Sequence, residues 1–168
     1  MLSFLFPRLT PSEASRGSAL FTALVVEARQ AHWYVEGEVP DTLDGRFSVL
    51  ATMTALATVR LERGGEAARI EAVALAERFV EAMDADHREL GLGDPTLGKK
   101  VRKLVGALAR RVELWRSAVE GDRWNEALAL SLNTGDANAL GHCEAALRKV
   151  WARLETASDE ALADGRIG

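Results

Sequence analysis

The stretch "DPTLGKKVRKLVGALARRVELWRSAVEG", residues 94–121, decides the fold. Asp94 followed by Pro95 is a helix start: a carboxylate takes up free N–H groups of the first turn, and proline suits a first helical position that needs no N–H. Beyond it, Leu97, Val101, Leu104, Val105, Leu108, Val112, Trp115 and Val119 fall within roughly 100° of arc at about 100° per residue. Gly121-Asp122 breaks the pattern. A helix with such a stripe is stable only when the stripe is buried against neighbours, so the flanking segments must supply them.

Those segments read as helices too. Towards the N-terminus, Ile70, Val73, Leu75, Phe79, Val80, Met83 and Leu90 mark one helix that ends at "GLGD". Before it, Phe47, Leu50, Met53, Leu56 and Leu61 recur at mostly helical spacing until Gly64-Gly65. Thr10-Pro11-Ser12-Glu13 is a capping box opening a first helix, expected to reach Tyr34 and to bury Leu20, Leu24, Ala28 and Ala31. Towards the C-terminus a short helix carries Trp124, Leu128 and Leu132, and "NTGD" ends it. A last helix from Asp136 has Leu140, Leu147, Val150, Trp151 and Leu154 as its core face. No stretch alternates as a strand would. The expectation is an all-α, single-domain bundle of about six helices over residues 1–168, with an apolar arm at 1–9 and a frayed tail at 158–168.

Composition narrows the function. A chain of 168 residues supports one domain, and 48% hydrophobic with 27% charged content is that of a folded soluble protein. One cysteine, Cys143, excludes an internal disulfide and most cysteine metal sites; it reads as a core filler in a reducing compartment. The opening "MLSFLFPRLT" lacks a basic leader and a small-residue cleavage site, so it is not read as a secretory signal. Leu2, Phe4, Leu5 and Phe6 are too few to span a bilayer and suit packing on the domain, a membrane or a partner protein. A net charge of −4 argues against bulk nucleic-acid binding, and no DNA contact is expected.

The common catalytic signatures are missing: no phosphate-binding glycine loop, no GxSxG turn and no HExxH. No cofactor, catalytic residue or metal ligand is assigned. His32, His87 and His142 are far apart in sequence. Asp84 and His87 share a helix face that Asp41 or Asp44 can approach, so a small metal-dependent protein or enzyme is one alternative. An oligomeric helical scaffold is another.

Two clusters stand out from plain helix. In "VPDTLDGRF", residues 39–47, Pro40 fixes a backbone angle, Asp41 suits an Asx turn, Asp44 suits a helix N-cap, Gly45 allows close backbone approach and Arg46 can fork onto a carboxylate. The residues alone favour a rigid corner, with Asp41, Asp44 and Arg46 setting the first two long helices beside residues 84–94. The second cluster is "MDADHRELGLGDPTLGKKVRK", where Asp84 and Arg88 stand four apart, Glu89 follows and Asp94 caps the next helix. Lys99, Lys100, Arg102, Lys103, Arg110 and Arg111 then arrive with no acid until Glu113, opposite the apolar stripe. They form either a solvated face or a strip for an anionic partner.

At these clusters the chain resembles the ubiquinol–cytochrome c chaperone family, whose members include the mitochondrial cytochrome b assembly factor and shorter alphaproteobacterial homologues. A family block "VPDTxDGRF" is matched by residues 39–47. A second block, "DxxxREmGvGDxxVGKxVRK", is matched by Asp84, Arg88, Glu89, Gly91, Gly93, Asp94, Gly98, Lys99, Val101, Arg102 and Lys103. The spacing between blocks also agrees, although Ser48 stands where the family commonly carries an acid. The resemblance implies a non-enzymatic, cytoplasmic or peripheral inner-membrane chaperone that receives newly made cytochrome b for the cytochrome bc1 complex. It further implies a ribosome or anionic membrane surface as a contact for the basic helix, and a small partner subunit.

Overall fold

The computed structural model describes the backbone of residues 15–89 and 97–168, and their side chains except at 86–89, 97 and 98. The capping box at residues 10–13, the arm at 1–9 and the Asp94-Pro95 start therefore lie outside the described residues. Within them are seven α-helices: α1 (Ser18–Ala28), α2 (Leu43–Glu62), α3 (Glu66–Glu89), α4 (Leu97–Gly121), α5 (Trp124–Ser131), α6 (Ala137–Thr156) and α7 (Asp159–Ala163). A 3-10 turn, Ala31–Trp33, lies between α1 and α2. There is no strand among the described residues, and none of the helices there is long and apolar enough to cross a membrane.

The middle of the bundle is α2. No charged residue occurs between Phe47 and Val59, and a helix apolar all round belongs in the interior. Val49 through Thr58 are buried without a break, and α1, α3, α4 and α6 pack around them. The many Ala and Thr keep the helix thin enough for this. Thr52 and Thr58 hydroxyls donate to the Ser48 and Thr54 carbonyls at 2.8 Å each, which lets these polar groups sit in the core.

Around it, the expected stripes are largely present. On α4, Leu108, Val112, Trp115 and Ala118 are buried, and the Trp115 indole donates to Ser131 Oγ of α5 at 2.9 Å. Val105 departs from the expected stripe and is 50% exposed. On α3 the buried line is Ala68, Ala72, Leu75, Phe79 and Met83, whereas Ile70 and Val73 face outwards. Wheel geometry explains it: positions 68, 72, 75, 79 and 83 share one face, and 70 and 73 lie on the far side.

Two ends differ from the sequence expectation. The first helix stops at Ala28 rather than reaching Tyr34, because Gln30 turns extended. The carbonyls left over at its end find side-chain donors: the Trp33 indole N–H reaches Glu27 O at 3.0 Å, and the Tyr34 hydroxyl reaches Ala28 O at 2.8 Å. Residues 158–168, expected to fray, instead form α7 and dock. Ser158 caps α7 by accepting from Ala161 N–H, and Leu162 and Ile167 are buried. Arg60 of α2 holds this tail by donating to Leu154 O (3.0 Å), Ala157 O (2.6 Å) and Asp159 Oδ1 (2.9 Å).

Candidate functional site

The 39–47 block is a corner, with its roles distributed differently from the expectation. The N-cap of α2 is Thr42, whose hydroxyl accepts the Gly45 N–H at 3.1 Å; Asp44 lies in the first turn instead. Either residue type caps well, and the backbone chose the one that is extended immediately before the helix. Asp41 pairs with Arg46, Oδ1 to Nε at 2.7 Å, both well exposed. Val39 is buried and its N–H donates to Trp33 O at 3.1 Å. Gly45 is required: a Cβ there would lie 1.8 Å from the Pro40 carbonyl oxygen. Phe47 then enters the bundle against Phe79 of α3, ring centroids 5.7 Å apart.

This corner forms one wall of a groove of about 1120 Å³. The opposite wall is α1, through Phe21, Val25 and Val26; Phe47 and Leu50 of α2 and Ala82 and Met83 of α3 also line it. Tyr34, Val35 and Leu43 stand on the corner side, with Asp41 and Arg46 as the polar pair at the rim. Val26 and Val35 are 64% and 67% exposed, which places apolar surface in water at the groove edge.

The basic helix divides into two parts. Lys99, Arg102, Lys103 and Arg110 face solvent, and Lys100 is half-buried with a contact of its own. Arg111 leaves the strip, contrary to expectation. Its guanidinium lies 5.5 Å from the Phe47 ring centroid and donates to Ser131 O at 2.9 Å, while Nε has no partner. Burial pushes its pKa down, as low-dielectric surroundings do to any cation. Arg111 is thus a strut between α2, α4 and α5.

The remaining expected residues separate. Asp44 is exposed and Asp41 is committed to Arg46. Asp84 has a contact of its own, and the side chains of His87, Arg88, Glu89 and Asp94 lie outside the described residues. No group of three or more metal-capable side chains converges among the described residues.

Two features, a histidine pair and a buried ion pair, had no usable sequence signal, while Cys143 is the filler expected. His32 and His142, 110 positions apart, meet with Nδ1 and Nε2 at 3.0 Å, where α6 packs beside the 3-10 turn. Desolvation, followed by the charge of His142, pushes the His32 pKa below its ordinary value. Next to this pair, Cys143 is fully buried with Sγ 3.7 Å from Gly37 O, and burial pushes its thiol up to about 11, which makes it an inert filler. Glu27 of α1 is also buried and forms an ion pair with Arg153 of α6.

Comparison with known proteins agrees with these blocks. A family model described as ubiquinol-cytochrome C chaperone matches residues 36–167. Among solved structures, the chain is similar to one titled as the crystal structure of the Cbp3 homolog from Brucella abortus. The two are 28% identical, 98% of this chain and 94% of that chain are covered, and the TM-score is 0.79. No curated protein matches in sequence.

Proposed function

Since the chain belongs to the ubiquinol–cytochrome c chaperone family, we propose that it is a non-enzymatic assembly chaperone that holds newly made cytochrome b for the cytochrome bc1 complex. The observation that carries this reading is the groove between α1 and the 39–47 corner. A helix about 10 Å across rises 5.4 Å per turn, so about 1120 Å³ takes roughly two to three turns of an apolar client helix. Its walls are mostly apolar, with Thr22, Arg29, Asp41 and Arg46 as polar members, and its edges expose Val26, Val35 and Leu43, which a client helix would cover. Burial of such side chains is the driving force, at about 25 cal/mol per Å² before the cost of association.

The work is done on the cytoplasmic side, close to the membrane that receives the client. A ribosome and a small partner subunit are further partners, on the family resemblance alone. The reading is tested by recovering the tagged chain from its own cells and probing for cytochrome b. Wild type retains it, and Val26→Asp with Val35→Asp, in the same folded domain, loses it. Deleting the gene lowers cytochrome b and the assembled bc1 complex. An oligomeric scaffold would retain no client and leave both unchanged.

A further inference from the structure

We propose that the outer face of α4 is a docking strip for an anionic bilayer surface. Lys99, Arg102, Lys103 and Arg110 are all exposed, and among the described residues no acidic side chain pairs with any of them. On a helical wheel they lie within roughly 100° of arc, and from Lys99 to Arg110 they extend over about 16 Å of one helix. The chain carries a net charge of −4, so this cationic line is a local exception rather than a property of the whole surface. Gly106 sits in the middle of the line with no side chain to lift it from a flat partner.

The shape and chemistry select among anionic partners. A straight row of cations without an exposed aromatic residue among them fits a plane of charge, and lacks the stacking platform that single-stranded nucleic acid uses. A membrane-protein client is also a poor fit, because its cytoplasmic loops carry an excess of Lys and Arg and would be repelled. An anionic leaflet attracts such a strip with about 1 kcal/mol per basic residue, or roughly fivefold in partitioning each. Arg111 is not part of it, since its guanidinium is turned towards Phe47. The strip is separate from the groove, so the inference stands apart from the reading of the client site.

The test uses the purified full chain and vesicles of phosphatidylcholine alone or with about a third phosphatidylglycerol. Sedimentation is measured at low and moderate salt, with an oligonucleotide RNA as the competing anion. Wild type is expected to co-sediment with the anionic vesicles only, less so as salt rises. Lys99→Glu with Lys103→Glu and Arg110→Glu lowers that partitioning by two orders of magnitude or more. The corresponding glutamine variant falls by a smaller factor. Circular dichroism of both confirms the fold, and capture of cytochrome b in detergent is unchanged in both. The proposal is overturned by equal recovery with neutral vesicles, by vesicle binding that the charge reversal leaves intact, or by RNA binding that is stronger and lost in the same variant.

Discussion

Gly45→Ala sets two effects of opposite sign against each other. In an exposed helix interior the change stabilises by about 1 kcal/mol, because alanine is the better helix former. Gly45 is buried at the start of α2, and its new Cβ would meet the Pro40 carbonyl oxygen at 1.8 Å. A backbone atom cannot rotate away as a side chain can, so the Val39–Pro40 segment must move by more than an ångström. That movement breaks the Thr42 cap, worth about 1 kcal/mol. It also loosens the Val39 N–H bond to Trp33 O, about 1 kcal/mol, and part of the burial of Val39, about 1.5 kcal/mol. Against the propensity gain, the net is a loss of roughly 2–3 kcal/mol. Urea unfolding followed by tryptophan fluorescence measures it, with Gly141→Ala on α6, where a Cβ meets nothing within 4 Å, as the control in which propensity acts alone. A Gly45→Ala protein as stable as wild type would refute the reasoning, because it would mean the corner yields without cost. The variant is also expected to bind less client, since the displaced segment is a wall of the groove.

Thr42→Ala should cost about 1 kcal/mol as a lost N-cap, and Asp44→Ala only a few tenths as a lost first-turn charge; denaturant midpoints of the two variants check the order. Arg60→Met should cost about 3 kcal/mol, since it strips donors from Leu154 and Ala157 carbonyls and the partner from Asp159. Hydrogen exchange should then show residues 158–168 losing protection while α2 retains it. The His32 pKa is lowered in the fold from 6.5, so the unfolded chain binds a proton first as pH falls. Stability should therefore be full above about pH 6.5 and decline below it, and His32→Gln should flatten that decline between pH 7.5 and 5.5.

Helical periodicity made most of the architecture legible. The stripe on α4 and the charge-free run in α2 each specify what a helix must bury, and Leu108, Trp115, Met53 and Leu56 are buried accordingly. Turn chemistry located the corner, where Gly45 allows the close approach to the Pro40 carbonyl and Arg46 pairs with Asp41. Both blocks that carry the family are contiguous in sequence, which is why a reading along the chain finds them.

Tertiary structure decided everything that depends on distant partners. Residues 158–168 look small and polar, and they dock because the guanidinium of Arg60, 99 positions before Asp159, meets them and Leu162 and Ile167 find a buried place. Arg111 has the same chemistry and nearly the same setting along the chain as Arg110, yet one turns to Phe47 and Ser131 and the other to water. His32 and His142 become neighbours only because α6 folds back beside the turn. The groove is of this kind as well, since it exists in the space between α1, the corner and the end of α3. Local propensity acts over a few residues and is written in the chain, whereas burial, pairing and cavities are properties of surfaces that meet only after the backbone has closed on itself.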